Sequence, residues 1–334
     1  MSGLVIPKQR RIDAICLGRA GVDLYALEAD TDMVEVSGFQ KQVGGSPANI
    51  AVALAKLGCK AGIISCVSDD GLGRYVRHYL AQQGVDLQGM QVLGAGTRTS
   101  LAVTEMKASE CEVVIYRNNA ADLSLDIGHI DRSYIADARA LVITGTALSC
   151  SPSREASLQA ISYARESGTL VVLDIDYRAY SWSSVEESAV YCQMAAAQAD
   201  ILIGNREEFD VLESLVDPDN RDDDRSADRF LAAATQVVVI KAGELGSKVY
   251  TRWGEQFSQG VFPVKMKKPF GSGDSFAGAL LYALLNGLDL QSGVRMGSAA
   301  AAINVSGDSC TEAMPTLPEL ETFIARHEQE MALC

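Results

Sequence analysis

A chain of 334 residues, of which 48% are hydrophobic and 22% charged, is long enough to bury a large core as one α/β domain or as two. Its formal net charge of −14 argues against binding to nucleic acid or to anionic membranes, because both need basic patches. The eight cysteines are scattered and form no CxxC pair, which is typical of reduced thiols. We see no signal peptide and no apolar run of about 18 residues, so we expect a cytoplasmic protein without a membrane span.

Apolar strands alternate with helices along most of the chain. In chain order the predicted elements are a strand at 12–18, a helix at 48–57, a strand at 61–67, a helix at 71–83, a strand at 140–144, a helix at 153–167, a strand at 170–174, a helix at 188–197, a strand at 201–203, a helix at 227–233 and a strand at 236–240. Continuous apolar strands separated by helices are typical of a parallel sheet covered on both faces.

Two segments, 24–43 and 99–117, interrupt this alternation because they carry no helical pattern. Short stretches in which apolar and polar residues alternate predict antiparallel strands that form a small sheet beside the main domain. Such a sheet is either a lid over a binding site or a decoration at an edge, and the pattern favours neither.

Several common chemistries are excluded by motifs that the sequence lacks. There is no GxxxxGK[ST] phosphate loop and no GxGxxG after the first strand, so neither a Walker-type NTPase nor a typical dinucleotide enzyme is indicated. The three histidines show no HExxH spacing and none accompanies a nucleophilic serine or cysteine. Histidine metal sites and hydrolytic triads are therefore not expected.

The stretch Gly271-Ser272-Gly273-Asp274 leads directly into an apolar run with helical spacing. Its small residues leave backbone N–H groups bare at a helix N-terminus, where the helix dipole favours an anion. A carboxylate repels anions, so Asp274 is either a base that takes a proton from a nucleophile near a phosphate, or simply the N-cap of the helix.

Further polar positions are suited to a ligand with hydroxyl groups. Gly44 and Gly45 precede the first strong helix and would let a ligand approach the backbone, while Asn49 offers a donor and acceptors to a hydroxyl. Asp23 follows the first strand, at the carboxyl edge where ligands of α/β sheets gather. It could accept from a sugar hydroxyl or form a turn.

Three motifs, Gly44-Gly45…Asn49, Asn205-Arg206-Glu207-Glu208 and Gly271-Ser272-Gly273-Asp274, resemble in order and spacing the signatures of the ribokinase (PfkB) carbohydrate kinases. The resemblance covers about residues 12–325. It implies a single kinase domain over 1–334 with a ribokinase-like α/β fold: a mostly parallel central sheet, helices on both faces and a small antiparallel β lid. It also implies ATP and Mg²⁺ as cofactors.

The resemblance assigns Asp274 as the base, with the backbone amides of Gly271, Ser272 and Gly273 stabilising the transferring phosphoryl group. Asp23, Gly44, Gly45 and Asn49 would bind the sugar. The residues implied for the nucleotide are Asn205 and Glu208, which order Mg²⁺ and the phosphates largely through water, Lys241, Gly243 and Gly246 in a turn after a strand, and Ser298 at the adenine pocket.

Arg117 and Arg178 match arginines that hold the substrate carboxylate in related sugar-acid kinases, and a planar bidentate donor suits a carboxylate. The stretches around Asp23, Asn49, Arg178 and Lys268 resemble the inositol-catabolic branch, which phosphorylates the C6 hydroxyl of 5-dehydro-2-deoxy-D-gluconate. The alternatives are a kinase for 2-keto-3-deoxygluconate, a kinase for a neutral sugar such as fructose or ribose, and a sugar-binding regulatory protein without catalysis.

Lys268 and Phe270 stand where many members of the family read Asp-Thr-x-Gly, residues that help to bind an activating monovalent cation. We hypothesise that the Lys268 ammonium replaces the charge of potassium. Lid sheets in this family often pair between subunits, so a homodimer through the lid is expected, with a sugar acid and ATP as the small-molecule partners.

Overall fold

The computed structural model describes residues 3–94 and 96–332. The strands in this part of the chain are β1 (Ile12–Leu17), β2 (Gly21–Ala29), β3 (Phe39–Gly44), β4 (Ala61–Ser68), β5 (Asp86–Leu93), β6 (Leu101–Met106), β7 (Val113–Tyr116), β8 (Ala138–Thr144), β9 (Leu170–Asp174), β10 (Ile201–Asn205), β11 (Val237–Lys241), β12 (Ser247–Thr251) and β13 (Gln256–Gln259). The helices are α1 (Ser46–Lys56), α2 (Gly71–Gln82), α3 (Arg132–Ala136), α4 (Ser153–Ser167), α5 (Val185–Ala196), α6 (Arg206–Glu213), α7 (Asp223–Leu231), α8 (Ser272–Leu285), α9 (Leu290–Val305) and α10 (Leu317–Ala332).

The central sheet has the strand order β13-β12-β11-β10-β9-β8-β1-β4-β5. All neighbours from β11 to β5 are parallel, whereas β12 runs antiparallel to both β11 and β13. The predicted, mostly parallel sheet is therefore confirmed. Because β1 and β8 to β11 run in the same direction, the residues that follow them meet at one edge of the sheet.

Both faces of the central sheet are covered by helices. Along β1, Ala14 and Cys16 belong to an apolar cluster with residues of α1, α2 and α8, whereas Ile15 and Leu17 belong to a second cluster with residues of α4 to α7. Successive side chains of a strand point to opposite faces, so a strand buried on both faces is a continuous apolar run. This explains why the core strands were predictable from their composition.

The small sheet has the strand order β3-β2-β6-β7, and we call it the lid sheet. Its hairpins β2–β3 and β6–β7 are antiparallel, as predicted. The pair between them, β2 and β6, is parallel. Parallel strands need a long crossover, which the chain supplies here through α1, β4, α2 and β5.

The first lid strand begins at Gly21 rather than near residue 24. Asp23 therefore lies within β2, opposite Gln42 of β3, and not in a turn after β1 as the sequence suggested. Its carboxylate thus belongs to the lid sheet.

Helices α1 and α8 lie side by side and run in the same direction. A Cβ on Gly278 of α8 would lie 2.5 Å from the Cβ of Ala53 in α1, so glycine allows the two helices to approach closely. Both helices begin at a glycine with positive φ, Gly45 at 106° and Gly271 at 87°. The close packing brings their first turns together at the carboxyl edge of the sheet.

Within residues 3–94 and 96–332, Cys16, Cys59, Cys66, Cys111, Cys150, Cys192 and Cys310 are free thiols, as expected, and Cys334 lies outside the described residues. None of the helices described has the length and apolar composition that a membrane span requires.

Candidate active site

A cavity of about 190 Å³ lies between the lid sheet and the carboxyl edge of the central sheet. Strands β2, β6 and β7 form one wall of it. The segments after β1, β8 and β9, together with the first turns of α1 and α8, form the other. The lid sheet therefore covers a site, and the alternative of an edge decoration does not hold.

Asp274 is the third residue of α8 and faces the cavity. The N-cap of α8 is Gly271, so the alternative that Asp274 itself caps the helix is wrong. A Cβ on Gly271 would lie 2.7 Å from both Asn304 Oδ1 and Cys310 Sγ, which makes glycine necessary there. The N–H groups of the first turn are thus free of side-chain caps, as an anion site requires.

Both carboxylate oxygens of Asp274 accept hydrogen bonds from the first turn of α1. Ser46 Oγ donates to Oδ1 at 2.5 Å, and Asn49 Nδ2 donates to Oδ2 at 2.7 Å. Burial, followed by the nearby carboxylate of Asp176, raises the pKa of Asp274 to about 6, while the two hydrogen bonds and Arg178 oppose the rise. A base with this pKa is ionised at neutral pH and still able to take a proton.

We predict that Asn49 binds a substrate hydroxyl, and in the structure its side chain contacts Asp274. Its Oδ1 atom is buried and has no hydrogen-bond partner among the described residues. A buried acceptor without a partner is costly, so a donor from a ligand would relieve that cost. Asn49 can therefore hold Asp274 through Nδ2 and accept from a sugar hydroxyl through Oδ1.

Asp23 is buried at the base of the lid sheet. Arg19 Nη2 contacts Asp23 Oδ1 at 3.0 Å, and the Tyr25 hydroxyl donates to Oδ2 at 3.2 Å. A Cβ on Gly44 would lie 2.0 Å from this carboxylate, and one on Gly45 would lie 2.4 Å from the Arg19 carbonyl oxygen. The absence of a Cβ at the two glycines therefore allows the Asp23 carboxylate and the Arg19 carbonyl to approach the backbone closely. The sequence predicts such a close approach for a ligand, whereas here it occurs within the protein.

Arg117 and Arg178 both line the cavity but differ in accessibility. The Arg117 side chain is 8% exposed; it donates twice to Asp122 Oδ2, at 2.6 and 2.9 Å, and once to the Thr146 carbonyl at 3.1 Å. The Arg178 side chain is 47% exposed and contacts Asp176 Oδ1 at 2.9 Å. Arg178 is the arginine that an incoming anion can reach.

Asn205 and Glu208 form a capping box at the start of α6. Asn205 Oδ1 accepts from the Glu208 N–H at 2.8 Å, and Glu208 Oε2 accepts from the Asn205 N–H at 2.7 Å. The other carboxylate oxygen, Oε1, lies 3.8 Å from Arg178 Nη1. The capping box thus uses one carboxylate oxygen of Glu208 and leaves the second near Arg178, which itself lines the cavity.

Lys241 ends β11 directly beside Asn205, which ends β10. Its Nζ lies 3.6 Å from Asp174 Oδ1 and 3.2 Å from the position that a Cβ on Gly273 would occupy. Burial lowers the pKa of Lys241, but the surrounding carboxylates, Asp174 first, raise it above its ordinary value. A permanent cation therefore stands at the same helix N-terminus that offers free N–H groups.

Lys268 is fully buried beneath the turn before α8. Its Nζ donates to the Phe270 carbonyl at 2.8 Å and to Asn304 Oδ1 at 2.7 Å. Both partners are neutral oxygens, and burial lowers the pKa of Lys268. The ammonium is thus held by the kind of oxygen atoms that would coordinate a monovalent cation.

The predicted nucleotide residues do not line this cavity; they are Asn205, Glu208, Lys241, Gly243, Gly246 and Ser298. Gly243 and Gly246 have positive φ in the loop after β11, and Ser298 is buried in α9. The sequence reasoning missed Ser46, Asp176 and Thr146, which line the cavity. Asp176 stands within a stretch that the resemblance had singled out, but nothing in the sequence showed that Ser46 would reach the base.

Known proteins are similar to this chain over most of its length. Residues 11–317 match the model of the pfkB family carbohydrate kinases. A protein of Photobacterium profundum named 5-dehydro-2-deoxygluconokinase is 59% identical over 331 residues, which are 99% of this chain and 100% of that protein. One of the same name from Geobacillus kaustophilus is 45% identical and covers 99% of both chains.

Among solved structures, a putative ribokinase II from E. coli in complex with ATP and Mg²⁺ is 26% identical, with a TM-score of 0.86 over 95% of this chain and 100% of that one. The apo form of the same protein gives a TM-score of 0.85 over the same shares. The predicted ribokinase-like fold is thereby confirmed. The chain belongs to the pfkB family of carbohydrate kinases.

Proposed function

We propose that this carbohydrate kinase is a 5-dehydro-2-deoxygluconokinase, which transfers a phosphoryl group from ATP to the C6 hydroxyl of 5-dehydro-2-deoxy-D-gluconate in inositol catabolism, and that residues 1–334 act as one kinase domain. The observation that carries the proposal is a half-buried carboxylate, Asp274, at the N-terminus of α8 in a cavity that Arg178 also lines. The names and high identity of the two relatives support the substrate.

Asp274 acts as the general base on the sugar hydroxyl. Asn49 holds its carboxylate at one oxygen and keeps a free acceptor for a hydroxyl of the sugar. The N–H groups of Gly271, Ser272 and Gly273 and the Lys241 ammonium surround the place where negative charge develops, which is the arrangement that favours phosphoryl transfer.

The substrate carboxylate is bound by Arg178, because its guanidinium is the more accessible one. Arg117 supports the same wall of the cavity: its guanidinium donates to the Thr146 carbonyl, and the Thr146 hydroxyl donates to Asp176 Oδ2 at 3.1 Å. Asp176 in turn contacts Arg178. A neutral sugar would gain nothing from this exposed cation, so the wall favours a sugar acid.

The residues around Lys241 fit the phosphates of ATP with Mg²⁺. Asp174 Oδ1 is buried without a hydrogen-bond partner among the described residues, and Glu208 Oε1 is not used by the capping box. Two carboxylate oxygens that can accept from metal-bound waters suit Mg²⁺, which keeps most of its water. When bound, Mg²⁺ neutralises charge on the phosphates. Asn205, Gly243, Gly246 and Ser298 would complete the nucleotide site.

We also propose a homodimer through the lid sheet. Leu27 of β2, Phe39 of β3 and Val113 and Tyr116 of β7 are exposed apolar residues on its strands, and β3 and β7 are edge strands. Exposed apolar edges of this kind are usually covered. Light scattering coupled to size-exclusion chromatography would measure the mass.

The decisive experiment measures ADP release by wild type and Asp274→Asn with 5-dehydro-2-deoxy-D-gluconate, 2-keto-3-deoxygluconate, fructose and ribose. We expect the highest kcat/KM with the first compound, and a loss of about 10²–10⁴-fold in kcat for the variant. Faster turnover of fructose or ribose would contradict the substrate, and binding without turnover would indicate a regulatory protein. An Asp274→Asn variant as active as wild type would contradict the mechanism.

A further inference from the structure

The first turn of α1 meets the catalytic base of the neighbouring helix. Ser46 is the first residue of α1, and its hydroxyl donates to Asp274 Oδ1 at 2.5 Å. Asn49, which also lies in the first turn of α1, donates to the other oxygen of the same carboxylate. A carboxylate has about four lone-pair sites, so these two donors leave room for a substrate hydroxyl to approach.

The Ser46 hydroxyl has no local structural use. A serine at the start of a helix commonly caps it, but the N-cap of α1 is Gly45, and α1 has no side-chain cap bond. The hydroxyl instead bonds to a residue 228 positions away in the sequence. This is the expected pattern when a side chain is placed for its distant partner.

The position of Ser46 is itself tightly fixed. Gly44 passes directly over the Asp23 carboxylate and Gly45 over the Arg19 carbonyl, and a side chain at either position would clash. Behind Ser46, α1 packs closely on α8 at Gly278. A donor fixed on both sides can hold the rotamer of Asp274.

We propose that Ser46 is a positioning residue for the catalytic base: its hydroxyl fixes the Asp274 carboxylate in the ionised form and in the orientation that accepts the substrate proton. The proposal rests on the proposed function only in taking Asp274 as the base. Asn49 shares the contact but also faces the sugar, so Ser46 is the residue whose effect can be separated from substrate binding.

Several charged or titratable groups also face Asp274. They come from β1, from the end of β9 and the segment after it, from the end of β11, and from the segments beside α8, and they are Cys16, Asp174, Asp176, Arg178, Lys241, Lys268 and Cys310. None of them is altered by a change at Ser46. A difference in titration between wild type and a Ser46 variant therefore reports the hydroxyl itself.

The direct test is an NMR titration of protein labelled with ¹³C at the aspartate Cγ, with the Asp274 signal assigned by its absence in Asp274→Asn. Loss of a hydrogen bond to the charged form should raise the Asp274 midpoint in Ser46→Ala by about one pH unit. Ser46→Thr, which keeps a hydroxyl, should restore the wild-type midpoint. Ser167→Ala, which removes a serine hydrogen bond within α4, should leave it unchanged.

An unchanged midpoint in Ser46→Ala would overturn the proposal. Should that variant not fold, Ser46→Cys provides the same comparison, because a thiol is a weak donor. This measurement needs no substrate, so it remains informative even if 5-dehydro-2-deoxy-D-gluconate is not phosphorylated.

The kinetic counterpart uses the sugar that wild type phosphorylates best. Ser46→Ala should lower kcat by about fivefold at pH 6, with recovery at higher pH and with KM for the sugar changed by less than about twofold. A rise in KM with kcat unchanged would assign Ser46 to substrate binding and would overturn the positioning role.

Discussion

The ionisation of Asp274 connects the geometry of the cavity with the pH at which the kinase works. Its pKa is raised to about 6, above the ordinary value of an aspartate, because it is buried near Asp176. A base must be deprotonated, so kcat should be constant above about pH 7 and should fall about tenfold per unit well below pH 6. A pH–rate profile at saturating ATP and Mg²⁺ measures this.

A profile that stayed flat down to about pH 4.5 would show that Asp274 does not act as the base. Because low pH also affects the coupling enzymes of an indirect assay, ADP should be quantified directly. Activity measured after return from low pH to neutral pH serves as the control for unfolding.

Arg117 and Arg178 are expected to respond differently to substitution, although both line the cavity. Arg178→Met should raise KM for the sugar acid by about 10- to 100-fold, because an accessible charge-assisted contact is lost. Arg117→Met should lower stability, by about 3–5 kcal/mol, because it leaves the buried carboxylate of Asp122 without its cation. Steady-state kinetics and chemical denaturation distinguish the two outcomes.

The double variant Arg117→Met/Asp122→Leu provides a matched control, since replacing both charges by apolar groups should recover much of the lost stability. If Arg178→Met left KM unchanged for a sugar acid, Arg178 would not bind the carboxylate.

At the scale of elements, Lys268 connects the turn before α8 with α9 through Phe270 and Asn304. If its ammonium replaces a monovalent cation, wild-type activity should change by less than about twofold between sodium and potassium buffers. Lys268→Met should lose about 10²-fold in kcat, because the turn that presents the N–H groups loses its support. Activity measured across a potassium series tests both statements.

Lys268→Ser, which leaves a space lined by oxygen atoms, is the informative companion variant. Partial recovery of its activity by potassium would support cation replacement. A strong potassium requirement of the wild type would contradict it.

The contact between α1 and α8 is expected to control the base from a distance. Gly278→Val should push the helices apart at Ala53, because even a Cβ would approach it to 2.5 Å. We expect both a lower melting temperature and a kcat reduced by at least about tenfold, as overpacking typically costs about 1–3 kcal/mol. The control is Gly71→Ala in α2, where a Cβ would meet open space. This variant should retain the melting temperature and the kcat of wild type.

The elements that the sequence predicted well are those in which one local pattern determines the structure. The strand at 170–174 and the helix at 153–167 match β9 and α4 because apolar runs and a 3.6-residue period are local signals. The parallel pairing of β2 with β6 depends on contacts between distant segments, and no local pattern encodes it.

The candidate site divides in the same way. The position of Asp274 in the first turn of a helix could be predicted, because a glycine-rich turn precedes an apolar run with helical spacing. Its role as the base stays a prediction. Its hydrogen bond to Ser46 could not be predicted, because it arises from the packing of α1 on α8. The sequence pattern placed Asp23 after β1 rather than within the lid sheet. The reason is that β2 follows β1 so closely that no local pattern marks its beginning.

For the whole molecule, the raised pKa of Asp274 means that this residue lowers the free energy of unfolding at neutral and alkaline pH. Below the unfolded-state pKa of an aspartate this group favours folding most, and its contribution is lost as pH rises toward about 6. Asp274→Asn removes this titration. The variant should therefore melt at a higher temperature than wild type at about pH 8, and the difference should shrink at about pH 4.5.

Thermal melts at several pH values test this expectation, with Asp228→Asn as a control that removes one exposed negative charge from α7. If both variants showed the same increase in melting temperature at about pH 8, the cause would be the net charge of −14 rather than the environment of Asp274.

Each arginine that lines the cavity already has its own carboxylate: Arg19 pairs with Asp23, Arg117 with Asp122, and Arg178 with Asp176. A tethered partner competes at a high effective concentration, so a free chloride, sulfate or phosphate ion must displace it to bind. A sugar acid would compete better if, as we propose, its hydroxyl groups also bind Asn49 and Asp274. The paired arginines would then discriminate against simple inorganic anions and in favour of an organic acid of the right shape.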